Sequence, residues 1–98
     1  MMGRARGTPD RMKANVYVSL KKTVLDPQGE TIRSALRSLG FEGVEAVRQG
    51  KHFQIQLANG LTLDQARAEV ERIAREVLTN PVIEEFSFQL EEESEPRA

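Results

Sequence analysis

From Ala14 onward the apolar period of this chain switches between two residues and 3.6 residues four times, so the chain must alternate strands with helices. Ala14, Val16, Val18 and Leu20 share one face and Asn15, Tyr17 and Ser19 the other, the mark of a strand with one buried side. Pro27 fixes its own φ and biases Asp26 away from helix, so Thr23–Gly29 must turn before the next element begins. Ile32, Ala35, Leu36 and Leu39 then fall at i, i+3, i+4 and i+7. That is one stripe of an amphipathic helix, stopped by Gly40.

Val44, Ala46 and Val47 lead into Gln49-Gly50, and Phe53, Ile55 and Leu57 alternate beyond it, which predicts two strands joined by a hairpin turn near Gly50. Thr62 with Gln65 three residues on reads as a capping box. It opens a second stripe of Leu63, Ala66, Val70, Ile73, Ala74, Val77 and Leu78, with Glu71 and Arg75 paired on the charged side. Asn80-Pro81 ends that helix, and Val82–Leu90 returns as a strand with Phe86, Phe88 and Leu90 facing one way. The order β-α-β-β-α-β defines an α+β two-layer sandwich of ferredoxin-like type, an antiparallel sheet with two helices on one face. Its other face then needs a cover or a partner.

Ninety-eight residues make one domain with a thin core, a deficit that small proteins offset with disulfides, metals or partners. With no Cys and a single His, His52, neither disulfides nor a thiolate or imidazole metal cluster can be built. Oligomerisation remains, and a homo-oligomer, dimer or tetramer, is expected. Residues 1–12 lack apolar periodicity and are expected to be a disordered extension, with Met12 as an alternative start. The domain is expected over 13–92, and 93–98 as an acidic disordered tail. Fourteen basic residues against fifteen acidic ones disfavour nucleic acid as a partner. The chain has no apolar run near the roughly 18–20 residues of a membrane span. Its first 13 residues lack the apolar core of a signal peptide, so a cytoplasmic location is expected.

The residues for catalysis are few. Nucleophilic chemistry by the usual routes needs a Cys, or a Ser beside a His, and His52 sits in an expected strand next to Phe53. Gly29 alone falls short of a phosphate loop, and Glu84-Glu85 point to opposite faces of a strand while Glu91-Glu92-Glu93 approach the tail, so neither makes a rigid Mg²⁺ cage. No catalytic, cofactor-binding or metal residue is therefore assigned. Arg48, Lys51 and His52 make a small basic spot. A ferredoxin-like regulatory domain that binds a small ligand is the alternative function left by composition.

Three ordered segments carry a resemblance. Val16 to Gly29, above all Leu25-Asp26-Pro27-Gln28-Gly29, then Val47-Arg48-Gln49-Gly50-Lys51, then Asn80-Pro81-Val82-Ile83-Glu84-Glu85-Phe86, resemble the PurS family of phosphoribosylformylglycinamidine synthase subunits. The likeness spans about residues 13–92. It implies a small, non-catalytic, oligomeric subunit of an ATP-dependent carbon–nitrogen ligase in purine biosynthesis. In that complex PurL-type synthetase chains bind ATP, Mg²⁺ and formylglycinamide ribonucleotide, and PurQ-type glutaminase chains release ammonia from glutamine. ATP activates the formamide oxygen, and ammonia replaces it to give the amidine, ADP and phosphate. The chain itself would carry no cofactor and would hold the other two in register for ammonia transfer. Lys21, Lys22, Asp26, Pro27, Gln28, Arg48 and Lys51 are the candidate partner contacts.

Overall fold

The computed structural model describes residues 11–93. Strand β1 (Arg11–Leu20) is followed by helix α1 (Pro27–Ser38), strand β2 (Gly50–Leu57), helix α2 (Leu63–Ile73) with a π-helical turn at Ala74–Leu78, and strand β3 (Glu84–Glu93). The sheet is antiparallel in the order β2-β1-β3, so the most regularly alternating segment takes the centre. Val16 lies opposite Phe53 on one side and Phe88 on the other, and Ala14 opposite Ile55 and Leu90. This register places the apolar residues of all three strands on one face.

Onto that face packs α2. Ala66, Val70 and Ala74 sit one turn apart and are fully buried against Met12, Ala14, Val16 and Val18. Alanines at two of the three contact positions let the helix axis approach the sheet closely. The helix starts where its sequence dictates: the Gln65 N–H donates to Thr62 Oγ1 at 3.1 Å and the Thr62 N–H to Gln65 Oε1 at 3.0 Å. The expected Glu71–Arg75 pair is formed. The regular helix ends at Ile73, five residues short of the predicted Leu78, because the chain widens into the π turn. That extra residue rotates Val77, a member of the predicted stripe, out to 74% exposure.

The α+β class and the antiparallel sheet agree with the sequence reading, whereas three details differ. Among the described residues three strands form, and residues 44–49 pair with no strand. Val44 and Val47 lie three apart, off the two-residue period, and their segment is held instead by side chains: Arg37 Nη1 donates to the Val44 carbonyl at 3.0 Å, and the Gln49 N–H donates to Asp26. β1 starts at Arg11, which moves Arg11 and Met12 from the expected extension into the sheet, with Met12 2% exposed. Glu93, assigned to the tail, is paired with Arg11 at the end of β3. The rest of the expected extension and tail, 1–10 and 94–98, lies outside the described residues. The third detail is α1. It ends in a Schellman motif at Gly40 (φ 99°), with the Phe41 N–H on the Leu36 carbonyl and the Gly40 N–H on the Arg37 carbonyl, yet its stripe stays open and α2 alone covers the sheet.

The opposite sheet face is polar, so it needs no apolar cover. Across it run three rows: Gln56, Lys13 and Glu91; Gln54, Asn15 and Gln89; His52, Tyr17 and Ser87. His52 is hydrogen bonded through Nε2 to Asn15 Oδ1 at 3.0 Å and stacked on Tyr17 with ring centroids 4.7 Å apart, the setting of a structural strand histidine.

Candidate functional site

Antiparallel pairing of β1 with both neighbours brings the C-terminal end of β1 beside the start of β2 and the start of β3. The connections entering and leaving those ends are the three segments singled out in the sequence, and they meet there. Asp26 is the joint between two of them. Pro27, at the first helical position, leaves Asp26 extended (φ −112°, ψ 92°), so its carboxylate caps α1. Oδ1 accepts the Gly29 N–H at 3.0 Å, and Oδ2 reaches across 23 residues to accept the Gln49 N–H at 2.7 Å. The residue is only 6% exposed. The Gln49 N–H, then the Gly29 N–H, hold its carboxyl below the usual carboxylate range, with the Arg48 charge adding to them against the opposing effect of burial.

Backbone contact tightens the same joint. A Cβ on Gly29 would stand 2.1 Å from the Val47 carbonyl oxygen, so only glycine lets these chains touch. Arg48 then ties the second segment to the end of β1, donating through Nη2 to the Lys21 carbonyl at 2.8 Å and to that of Leu20 at 3.4 Å. The Lys21 N–H in turn donates to the Ile83 carbonyl at 2.8 Å, which draws in the third segment. There Asn80 organises a tight turn. Its side-chain oxygen accepts the Val82 N–H, its carbonyl accepts the N–H groups of Ile83 and Glu84, and its own N–H donates to Glu84 Oε1 at 2.8 Å. Glu84 Oε2 also lies 3.6 Å from Lys51 Nζ.

The product is a braced end to the sheet with a shallow concavity of about 290 Å³, into which Pro27, Gln28, Lys51 and Glu84 project. In the connecting segments Leu25, next to Asp26 in the chain, and Val82, within the turn at Asn80, are exposed, Val82 at 77%, as is Lys22. The seven predicted contact residues are thus gathered at one end of the molecule, and they divide by role. Asp26 is buried and holds the joint, and the Arg48 guanidinium is engaged with carbonyls. Lys22, Pro27, Gln28 and Lys51 are exposed, and Lys21 partly so. Sequence reasoning quoted Leu25 and Val82 within these segments but did not single them out, because an apolar residue in a loop gives no periodic signal. It also missed Glu84, whose role depends on the turn at Asn80.

Chemically, this end can bind but has little to react with. Asp26 and Glu84 already accept hydrogen bonds, Glu84 also faces Lys51, and the Arg48 guanidinium serves backbone carbonyls. Among the described residues no group of three or more His, Asp or Glu is placed to hold a metal ion, and no helix is long and apolar enough to cross a membrane. A small ferredoxin-like α+β domain whose best-built feature is a rigid, exposed sheet end belongs to the class of binding and assembly subunits.

Comparison with known proteins makes the class particular. Residues 13–92 match the family model described as PurS: Phosphoribosylformylglycinamidine (FGAM) synthase, and the chain belongs to that family. It is 39% identical over 79 residues to the phosphoribosylformylglycinamidine synthase subunit PurS of Methanocaldococcus jannaschii, covering 81% of this chain and 94% of that one. With the Bacillus subtilis subunit PurS the identity is 37% over 84 residues, covering 82% and 93%. The fold agrees with solved structures: B. subtilis PurS superimposes with a TM-score of 0.71 at 38% identity over 83% of this chain and 99% of that chain. A chain in a structure described as PurLQS from Thermotoga maritima superimposes with a TM-score of 0.75 at 30% identity, covering 83% and 98%.

Proposed function

We infer that this chain is the small assembly subunit of a phosphoribosylformylglycinamidine synthase, holding PurL-type synthetase and PurQ-type glutaminase chains so that ammonia passes between them without escaping to water. As a PurS-family chain it takes part in purine biosynthesis as a subunit of a ligase complex. ATP and Mg²⁺ are handled by the synthetase partner, and the complex works in the cytoplasm. The observation that carries the contact assignment is the meeting of Leu25–Gly29, Val47–Lys51 and Asn80–Glu84 at one braced sheet end. A surface fixed by buried capping and backbone contacts loses little entropy on docking, which suits a part that must hold two others in register. Exposed Leu25 and Val82 supply apolar anchors, with Lys21, Lys22 and Lys51 around them.

Reconstitution tests the reading. Added to matched synthetase and glutaminase chains, the protein should sharply raise glutamine-dependent amidine formation, and ammonium supplied directly should reduce the need for it. Leu25→Asp with Val82→Asp should weaken assembly at least tenfold while circular dichroism melting stays within a few degrees, since both side chains are already exposed. An unchanged rate on adding wild-type chain, or tight binding of a free amino acid by the isolated chain, would favour a regulatory ligand domain instead.

A further inference from the structure

The chain holds three asparagines, and the fold treats each differently. Asn15 lies within β1 at 4% exposure, with its Oδ1 hydrogen bonded to His52 and the β-branched Val16 after it. Asn80 is followed by Pro81, whose ring nitrogen carries no proton, and its side-chain oxygen accepts the Val82 N–H. Asn59 has neither restraint. It is exposed, Gly60 follows it, and the two residues form the turn between β2 and α2.

That turn leaves the asparagine side chain open to its own backbone. Gly60 has φ 94°, a left-handed conformation that glycine adopts without steric cost, and the space beside it is empty: a Cβ there would meet nothing within 4 Å. Among the described residues neither the Gly60 N–H nor the Asn59 carboxamide takes part in a hydrogen bond. Both flanks are fixed, by contrast. The last ladder pair of β2 joins Leu57 to Met12, and the capping box of α2 begins at Thr62. An unshielded nitrogen and an unheld carboxamide are thus kept next to each other on an exposed turn.

We propose that Asn59 is a self-acting modification site, converted to aspartate and isoaspartate through a cyclic imide with Gly60. Hydroxide from the solvent takes the Gly60 amide proton, and the nitrogen attacks Asn59 Cγ. The N–Cγ bond forms as the Cγ–Nδ2 bond breaks, and Nδ2 leaves as ammonia with a proton from water, which restores the hydroxide. Water then opens the imide at one of its two carbonyls. Cleavage at Cγ gives aspartate, whereas cleavage at the Asn59 main-chain carbonyl gives isoaspartate, in which the backbone runs through the former side chain. Either product places a new negative charge three residues ahead of the Thr62 cap, and the isoaspartyl form also lengthens the link from β2 to α2 by one backbone carbon. Because Leu57 pairs with the start of β1, this happens at the sheet end opposite the one where Asp26, Gln49 and Lys21 are joined.

Ageing the purified full-length chain tests the site. Held in warm, mildly alkaline buffer, the wild type should gain the mass by which a carboxylic acid exceeds an amide and should shift to the acidic side in isoelectric focusing. Digestion and mass spectrometry should place the gain on the peptide that contains Asn59, with Asn15 and Asn80 still amides. An isoaspartyl-specific methyltransferase should label the aged chain and not the fresh one. The rate should rise with pH, since the attacking nitrogen must first lose its proton. Gly60→Ala sets a methyl group beside that nitrogen and disfavours φ 94°, so it should slow the conversion by about tenfold. Asn59→Gln, a change at an exposed position, should keep the wild-type circular dichroism spectrum and age without the acidic shift. An aged wild type of unchanged mass overturns the proposal. So does a gain that falls on Asn15 or Asn80 in place of Asn59, or an Asn59→Gln chain that acidifies at the wild-type rate.

Discussion

At the scale of single residues, Asp26 does the most. Its carboxylate caps one helix and closes a contact 23 residues away, and both bonds require the ionised form for full strength. The sign of its pH effect follows. The folded-state pKa lies below the unfolded value of about 3.9, so its stabilisation is present above that pH and is lost as pH falls through the lower, folded value. Asp26→Asn should therefore melt below wild type at pH 7, because an amide nitrogen now faces an N–H donor. The two melting curves should converge as pH falls below about 4. A gap that stays constant across that range would show that the charge of Asp26 does not hold the joint. Sequence reading took Asp26 as a candidate surface contact, whereas the structure buries it as a joint. Burial follows from the approach of Gln49, which no local pattern encodes.

Among the elements, those set by local rules were legible and those set by distant ones were not. The alternation of β1 and the Thr62–Gln65 capping box each name their own structure, and both are found. The hairpin arm at Val44–Val47 failed because so short a segment has no period of its own, and Arg37 claims the Val44 carbonyl while Asp26 claims the Gln49 N–H just beyond it. The π turn at Ala74–Leu78 is invisible to a 3.6-residue count, which extends the stripe smoothly through Val77. The three segments that carry the family resemblance were legible as a set, yet their meeting point follows only from the β2-β1-β3 order. The capping box offers a direct measure of how far local rules reach. Thr62→Ala removes the bond to the Gln65 N–H and should cost about 1 kcal/mol, read as a lower urea midpoint at an unchanged slope. A cost below about 0.3 kcal/mol would mean that α2 is held by its packing on β1 alone.

For the whole molecule, the decisive fact is how little of its apolar surface its own fold covers. Its buried apolar side chains number eight among the described residues, four from β1, two from α2, Ala74 from the π turn and Leu57 from β2, whereas Leu25, Ile32, Leu39, Phe41, Val77 and Val82 remain open. A domain of this size has a small margin over chain entropy, so a large share of its stability should come from surfaces covered by other chains. For the isolated protein the homo-oligomer expected from the thin core would supply such a chain, and folding would then depend on concentration. When a folded dimer unfolds to two monomers, each tenfold rise in concentration adds about 1.4 kcal/mol of dimer stability. Spread over the unfolding entropy of two chains of this length, that raises the melting temperature by about 4 °C. Scanning calorimetry at about 2 and about 200 μM should thus separate the wild-type midpoints by roughly 8 °C. Leu39→Glu should melt lower, with a midpoint that hardly moves over the same range. Equal wild-type midpoints at the two concentrations would mean that the eight buried side chains hold the fold unaided, and that the exposed stripe of α1 contributes nothing to the stability of the isolated chain.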